Sequence, residues 1–462
     1  MRKKRIELEH KPKSAWEVYA SAAHVRAMNR LAEDYRRFLT RCKTERETVR
    51  HVVEAALAAG FQEDFAAKAC LRASRGKTVF LARRGRRPLS AGYRLIAAHA
   101  DTPRLDLKQH PLYEEVGLAL AKTHYYGGIR KHQWLARPLA LHGVAVTKEG
   151  SLVPVTLGEA ESDPVLTIVD LLPHLAYKQQ EQKLADAFEA EKLNLVFGHA
   201  PSGEKLAEKN KDKGRVKRRV LELLHERYGI VEADLYSAEL QAVPAGPARF
   251  VGLDGSLIGG YGQDDRASVF AALSALLAEK SPEHAQIVLF WDKEEIGSEG
   301  STSAKSRFFE YCMEDLLAAW EPKARPSKVL PAGQALSADV HPAVDPDFQD
   351  VHEKLNSAYI GYGPCFCKYT GHRGKVGAND AHPEYVGRLR RILDEAGVPW
   401  QMAELGKVDL GGGGTVAKHL AEFGMDIIDI GPPVLSMHSP FELTSRADIY
   451  ATVLAFRAFL RS

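Results

Sequence analysis

The feature that most constrains the fold is the apolar run QIVLFW over residues 286–291, which is followed at once by the charged residues DKEE. Such a continuous apolar run is typical of a strand in a sheet buried on both faces. Further strands and helices are predicted to alternate along the chain: strands over residues 77–82, 93–98, 334–338 and 426–430, and helices over residues 15–39 (one or two), 268–280, 303–320, 383–396 and 447–460. This alternation predicts an α/β fold in which a mostly parallel sheet carries helices on both faces.

The middle of the chain has a different character. Between residues 104 and 246 the sequence contains short β-like runs, at 139–146 and 152–157, and a polar stretch at 198–219 that is rich in Lys, Glu and Gly. We expect the polar stretch to be a solvated loop. The alternative, a nucleic-acid-binding patch, lacks the interleaved aromatic residues that such a patch uses, and we expect no nucleic-acid partner.

Composition indicates a soluble globular protein. The chain has 462 residues, a formal net charge of +3 and five irregularly spaced cysteines. That spacing does not predict a disulfide framework and favours a reducing compartment. Cys365 and Cys367 are interpreted as strand residues. The basic N-terminus is not followed by an apolar stretch, and no run is long enough to span a bilayer. We therefore expect a cytoplasmic protein without a membrane partner.

Polar residues collect at the ends of the predicted strands, where open α/β sheets place their ligand sites. His99 and Asp101 follow one strand and are spaced so that Asp101 can orient the imidazole. The adjacent acids Glu294 and Glu295 end the most apolar strand, where charged side chains are uncommon unless they are paired or bind metal. One of them can bind a metal while the other handles protons.

Three further residues belong to this set. Asp339, in SADVH, ends another strand, and His438 lies in LSMHSPFE. Asp264, in GGYGQDDR, precedes a predicted helix and is either its N-cap or a carboxylate that bridges two metals. A loop histidine alone is more often structural than a ligand. Together, however, the residues offer mixed nitrogen and oxygen ligation, which suits zinc, cobalt or manganese. The run GGGGT at residues 411–415 lacks the ending of a phosphate loop and is interpreted as a tight turn.

The motifs HADTPRLDLK, GQDDRASVFAAL, WDKEEIGSEGS, SADV and LSMHSPFE occur in this order and resemble the bacterial branch of the aspartyl aminopeptidase family. The resemblance implies a catalytic α/β domain, residues 1–103 and 247–462, interrupted by a β-rich dimerisation domain at residues 104–246. It also implies a homo-oligomer, a dodecamer built from dimers. The implied activity is removal of the first residue, Asp or Glu, from peptide substrates.

The resemblance also assigns roles to individual residues. It implies two divalent ions, zinc in the first instance with cobalt or manganese as alternatives. It implies that His99 and Asp339 are ligands of opposite ions, as are Glu295 and His438, with Asp264 as the bridge. Glu294 is implied as the general base, and Asp101 as the acid that supports the first histidine.

Four substrate-binding candidates follow from departures in the motifs. Animal members supply a histidine from a neighbouring subunit, four residues after the His of a PHLA stretch. Here that stretch contains His174, and the corresponding position is Lys178. Lys368 lies near the family's pocket lysine, and the alternative is a surface lysine on a strand. His341 lies where relatives vary. The rival hypotheses are a related dinuclear aminopeptidase or amidohydrolase that prefers neutral residues, and a metal-free binding protein on a peptidase fold.

Overall fold

A computed structural model describes residues 8–9, 11–203 and 214–462. Its strands are β1 (Ala69–Ser74), β2 (Thr78–Arg83), β3 (Tyr93–His99), β4 (Arg104–Glu115), β5 (Leu118–Tyr126), β6 (Leu139–Val146), β7 (Leu152–Leu157), β8 (Thr167–Ile168), β9 (Leu195–Gly198), β10 (Glu239–Pro244), β11 (Arg249–Val251), β12 (Leu257–Gly260), β13 (Ala285–Trp291), β14 (Gly333–Ala338), β15 (His341–Pro342), β16 (Cys365–Cys367), β17 (Gly371–His372), β18 (Gln401–Met402), β19 (Gly412–Gly413), β20 (Asp426–Gly431), β21 (Pro433–Leu435) and β22 (Glu442–Ser445).

The α-helices are α1 (Ala15–Val18), α2 (Ala22–Arg41), α3 (Glu45–Ala58), α4 (Tyr177–Gln180), α5 (Leu184–Ala187), α6 (Arg215–Tyr228), α7 (Gln263–Leu277), α8 (Phe308–Trp320), α9 (Pro326–Val329), α10 (Pro383–Glu395), α11 (Ala417–Ala421) and α12 (Arg446–Arg461). The helix prediction for residues 15–39 therefore corresponds to two helices. Within the described parts of the chain, no helix is long and apolar enough to cross a membrane.

The largest sheet has eight strands in the order β1-β2-β13-β3-β14-β20-β16-β18. Its four central strands, β13, β3, β14 and β20, pair in parallel, whereas β2 and β16 run antiparallel to their central neighbours. The sheet is thus mixed, with a parallel centre. The strands predicted over 93–98, 286–291, 334–338 and 426–430 are these four central strands.

Side chains of the central strands alternate between two hydrophobic clusters. In β3, Ile96 and Ala98 pack in one cluster, together with residues of α2, α7 and α12. Leu95 and Ala97 pack in the other, together with residues of α8. Because both faces are covered, every residue of β3 and β13 is buried. This explains why their sequences are mostly apolar rather than alternating.

Two predicted boundaries are wrong. The helix expected over 303–320 begins only at Phe308, because the hydroxyl of Ser303 bonds the carbonyls of Ser298 and Gly300 and holds a turn there. The polar loop expected over 198–219 gives way to α6 at Arg215, whose Val216, Val220 and Leu224 are buried at helical spacing. Residues 204–213 of that loop lie outside the described residues.

A second sheet of seven strands, β7-β6-β10-β4-β5-β9-β8, contains antiparallel pairs only. All of its strands lie between Arg104 and Pro244, inside the segment predicted to be an insertion. It has its own core, in which Trp134 and Leu141 pack with Val220 of α6. The division into two domains and the dimerisation role of this part stay predictions.

Two small sheets complete the fold. One has the order β11-β12-β22-β21-β15, and the other is the pair β17-β19. Cys365 and Cys367 lie in β16, as expected. All five cysteines are free and buried, which agrees with the expected absence of a disulfide framework.

Candidate metal centre

Three neighbouring strands deliver the candidate ligands to one edge of the eight-stranded sheet. His99 is the last residue of β3, Glu294 and Glu295 follow β13, and Asp339 follows β14. Since β13, β3 and β14 are parallel neighbours, their carboxyl ends meet at the same edge. After β13 the chain turns sharply, with Lys293 at φ +70°, an unusual conformation for a residue with a β-carbon.

Asp264 comes from the beginning of α7. The first residues of this helix depart from helical geometry at Asp264 and Asp265, and the peptide bond between them is cis. Gly262 occupies the N-cap position and no side chain caps the helix. The N-cap alternative for Asp264 is therefore wrong, because its carboxylate points to two histidines instead.

Each carboxylate oxygen of Asp264 faces one imidazole. Its Oδ1 lies 3.2 Å from His99 Nε2, and its Oδ2 lies 3.1 Å from His438 Nε2. Asp339 Oδ1 lies 3.8 Å from His99 Nε2, and Glu295 Oε2 lies 3.5 Å from His438 Nε2. The five predicted ligands thus form two groups that share Asp264. The expectation that His99 and Asp339 ligate opposite ions, as do Glu295 and His438, is wrong, because each of these pairs lies in one group.

Ligand atoms in both groups are close enough to hold an ion. Those of His99, Asp264 and Asp339 lie within 4.8 Å of one another, and so do those of Asp264, Glu295 and His438. A third group meets the same limit and brings in Glu294 together with His99 and Glu295. The buried Oε1 of Glu295 has no hydrogen-bond partner among the described residues. An orphaned carboxylate oxygen beside imidazoles fits a zinc site, whose ligands are nitrogen and oxygen.

Asp101 lies behind this cluster and is fully buried. Its Oδ1 lies 3.3 Å from His99 Nδ1 and accepts the backbone N–H of Glu294, while its Oδ2 accepts the backbone N–H of Glu295. Because the Asp101 carbonyl also accepts from Nδ1, at 3.0 Å, this nitrogen carries the proton and Nε2 is left to face Asp264. Asp101 thus makes the contacts that the predicted support of His99 requires, and the role itself stays a prediction.

Burial and crowding of carboxylates shift the acid–base properties of the site. Burial raises the pKa of Glu294 to about 8, and the charges of Asp339, Asp101 and Asp264 act in the same direction, against the opposing effect of His99. Burial alone would lower the pKa of His438, but Asp264 and Glu295 raise it to about 11. Carboxylates packed this closely require compensating positive charge, which divalent cations supply.

A cavity of about 570 Å³ opens on the cluster. The cavity is lined by the candidate base Glu294 and by four candidate ligands, Asp264, Glu295, Asp339 and His438. The rest of its lining includes His341, apolar residues such as Val340 and Met437, and the glycines Gly412, Gly413 and Gly414. The glycine run predicted as a tight turn thus contributes backbone to the cavity wall. His341 is buried, and burial lowers its pKa to about 4, so its imidazole is neutral near pH 7.

The other three substrate-binding candidates do not line this cavity within the single chain. Lys368 pairs with Asp380, with Nζ 3.3 Å from Oδ1. His174 and Lys178 lie in the segment that carries the seven-stranded sheet, and Lys178 lines a separate depression there with Leu175 and Phe188. The sequence did not single out Lys418 and His372, which do line the cavity.

Sequence reasoning also missed a buried carboxylate, Glu442. It accepts backbone N–H groups from Gln263, Asp264 and His438, and so fixes the backbone at two candidate ligands. A signal was available, because Glu442 closes the quoted motif LSMHSPFE. By contrast, nothing in the sequence pointed to Tyr126 and Gly128, which contact Asp101 and His438 from the second sheet.

Known proteins are similar to this chain over nearly its whole length. The pattern of the family described as "Aminopeptidase I zinc metalloprotease (M18)" matches residues 38–460. A probable M18 family aminopeptidase 1 of Clostridium acetobutylicum is 45% identical and aligns over 97% of this chain and 98% of its own. The protein of the same description from Thermotoga maritima is also 45% identical, over 93% of this chain and 95% of its own.

Solved structures match the fold. The crystal structure of an M18 family aminopeptidase from Thermotoga maritima superposes with a TM-score of 0.92 at 43% identity, covering 98% of this chain and 100% of that one. A structure of the S. cerevisiae mApe1 dodecamer gives a TM-score of 0.74 at 20% identity, over 93% of this chain and 95% of that one. At that identity the second match concerns the fold alone.

Proposed function

This chain belongs to the M18 family of aminopeptidase I zinc metalloproteases and is a zinc metalloaminopeptidase, and on that premise we propose that its centre holds two zinc ions. In this proposal His99 and Asp339 hold one ion, Glu295 and His438 hold the other, and Asp264 bridges them. The proposed reaction is hydrolysis of the first peptide bond of a short peptide with a free N-terminus.

A single observation carries the two-metal proposal: the carboxylate of Asp264 directs one oxygen to each histidine, at 3.2 Å and 3.1 Å. A site for one ion would need only one group of ligands. Here two groups, each with its own histidine and its own terminal carboxylate, share a single carboxylate. This division matches the symmetric clamp of dinuclear hydrolases.

Zinc bound by these residues would supply Lewis acidity, which lowers the pKa of water and polarises a peptide carbonyl. The chain's own residues handle the proton. Glu294 lines the cavity beside the ligand groups, and its neighbour Glu295 faces His438. We assign Glu294 as the general base that accepts a proton from the attacking water and returns it to the amine that leaves.

For the first residue of the substrate we propose a preference for Asp or Glu, supported by lysine and histidine side chains near the cavity. Lys418 and His372 line it, and Lys368 lies close in sequence to the lining residue Thr370. His174 or Lys178 of a neighbouring subunit would be a further partner for an acidic side chain. A buried carboxylate needs such a partner, because its desolvation is otherwise costly.

A preference for a neutral first residue is the alternative, and the apolar part of the cavity lining favours it. Val340, Leu405, Ile430 and Met437 all contribute to that lining. In addition, Lys368 is already paired with Asp380. The relative rates of hydrolysis of glutamyl and leucyl substrates decide between the two.

For assembly we propose a homo-oligomer, a dodecamer built from dimers through the second sheet. One supporting observation is a stretch of exposed apolar side chains in that part of the chain: Val165, Val169, Leu171, Leu172, Leu175, Tyr177 and Leu184. So many exposed large apolar side chains within one short part of the chain favour an interaction surface there. Sedimentation of a 51.0 kDa monomer at working concentration would contradict the proposal.

The experiment for the proposed function combines substrates with metal depletion. Matched peptide substrates with a free and an acetylated N-terminus are offered to the metal-free protein and to protein reloaded with zinc. We expect hydrolysis of the free substrate alone, and only after zinc is restored. Equal hydrolysis of both substrates would indicate an amidohydrolase that does not require a free N-terminus. Activity without zinc would show that the mechanism does not use the metal.

A further inference from the structure

A short segment of the second sheet reaches the metal centre. Residues 126–128 begin with Tyr126, the last residue of β5, and continue with two glycines. β5 belongs to the seven-stranded sheet, whereas the candidate ligands belong to the other part of the fold. The segment is therefore a direct physical connection between the second sheet and the site.

The first contact involves Tyr126. Its hydroxyl donates to Asp101 Oδ2 at 2.8 Å, in a buried environment. The tyrosine ring is held from its other side, because the guanidinium of Arg104 lies 3.8 Å from the ring centroid. Arg104 is opposite Tyr126 in the β4–β5 ladder and is itself fixed by Asp106 and Glu45. The hydroxyl is thus aimed at Asp101 by a rigid arrangement.

The second contact involves the glycines. The carbonyl of Gly128 accepts from His438 Nδ1 at 2.9 Å, which leaves Nε2 of that ring facing Asp264 and Glu295. The backbone packs closely here. A β-carbon on Gly128 would lie 3.3 Å from His438 Nδ1, and one on Gly127, at φ +72°, would lie 3.3 Å from the Glu295 side chain.

We propose that the 126–128 segment is a positioning element of the metal centre and sets the orientation of one imidazole in each ligand group. Tyr126 acts on His99 through Asp101, and Gly128 acts on His438 directly. This inference rests on the proposed ligand roles of the two histidines. Partners behind a ligand fix its tautomer and direction, and their loss typically weakens metal binding. The affinity of the centre for zinc thus depends on the second sheet, although that sheet supplies no candidate ligand.

The test measures zinc affinity, by competition with a chelator, in Tyr126→Phe and in the control Tyr125→Phe. Phenylalanine keeps the ring under Arg104 and removes only the hydroxyl. Tyr125 is the adjacent residue in β5, is 42% exposed and loses the same group. We expect about 10- to 100-fold weaker zinc binding for Tyr126→Phe. We expect parental zinc binding for Tyr125→Phe, and metal-free melting temperatures within a few degrees of the parent for both. Zinc binding by folded Tyr126→Phe at the parental affinity would overturn the proposal.

Gly128→Ala is an independent second variant, and it tests the positioning role of residues 126–128 if Tyr126→Phe does not fold. Its new methyl group presses on His438, whereas Gly203→Ala, whose β-carbon meets no atom within 4 Å, is the control. Weakened zinc binding by Gly128→Ala alone supports the proposal, and unchanged binding contradicts it.

Asp264→Ala distinguishes failure of the proposed metal centre from failure of the positioning role. If this variant also binds zinc normally, the proposed metal centre itself is wrong. If only Asp264→Ala loses zinc, the ligand assignment stands and the positioning role does not.

Discussion

Oδ2 of Asp264 lies 3.1 Å from Nε2 of His438, while the other oxygen of the same carboxylate lies 3.2 Å from Nε2 of His99. This arrangement separates the carboxylates of the site by role. Asp264 faces both histidines, Asp339 and Glu295 each face one, and Glu294 lines the cavity beside them. The predictions below test these roles one at a time.

Glu294→Gln tests the proton-transfer role. The amide has nearly the same shape as the carboxyl group but cannot accept the water proton. We expect kcat to fall by about 10²- to 10⁴-fold while zinc content stays at the parental value, because no proposed ligand is changed. The measurements are kcat with a free-amine peptide substrate and zinc content by elemental analysis. Near-normal turnover would remove Glu294 from the mechanism.

Lys418→Met and Lys368→Met locate the cation that selects an acidic first residue. Lys418 lines the cavity, whereas Lys368 is paired with Asp380 and does not. If Lys418 is that cation, Lys418→Met lowers the ratio of kcat/KM for glutamyl over leucyl substrates by about 10- to 1000-fold. Lys368→Met then leaves the ratio unchanged.

Three other outcomes would change this part of the account. If Lys368→Met lowers the glutamyl-to-leucyl ratio and Lys418→Met leaves it unchanged, Lys368 is the cation that selects an acidic first residue. If neither variant changes an acidic preference, Lys178 of a neighbouring subunit is the next residue to replace. A parent protein that prefers leucyl substrates contradicts the acidic preference but leaves the metallopeptidase reaction in place.

His142 predicts a pH dependence of stability at the junction of the two sheets. Its Nδ1 lies 2.8 Å from Glu47 of α3, and its Nε2 lies 3.0 Å from Glu159, which also pairs with Lys43. Burial alone would lower the pKa of His142, but Glu159 and Glu47 outweigh it and raise that pKa above its ordinary value. The stabilisation by the charged imidazole is therefore fully present below about pH 6.5 and is lost as pH rises through the higher folded-state pKa.

The measurement for His142 is the difference in Tm between the parent and His142→Gln at several pH values, with zinc saturating in both. Glutamine keeps a polar side chain at the position but cannot carry the charge. We expect the parent's advantage to be largest near pH 6 and to shrink by pH 9. A difference in Tm that is constant over this range would contradict the assignment of a charged His142.

The sequence predicted the parallel centre of the large sheet and the cluster at its edge for a common physical reason. Strands buried on both faces are continuously apolar, so β13 and β3 are visible in sequence, and acids directly after them are hard to explain by packing. The roles of individual acids came from resemblance to a family rather than from spacing.

What the sequence did not predict depends on contacts between distant parts of the chain. Tyr126 reaches Asp101 only because the second sheet packs against the first. Lys418 of α11 and His372 of β17 line the cavity because folding brings these short elements to it, and local patterns do not determine where they lie. The start of α8 at Phe308 depends on hydroxyl contacts of Ser303, which compete with the helix.

The central claim is that two zinc ions share Asp264, and zinc stoichiometry tests it most directly. Metal-free protein is titrated with zinc and the tightly bound ions per chain are counted for the parent, for Asp264→Ala and for the exposed control Asp350→Ala. We expect two tightly bound ions in the parent and in Asp350→Ala. Asp264→Ala should hold at most one and be inactive, with its fold retained. Two tightly bound ions in Asp264→Ala, or a single ion in the saturated parent, would contradict the account.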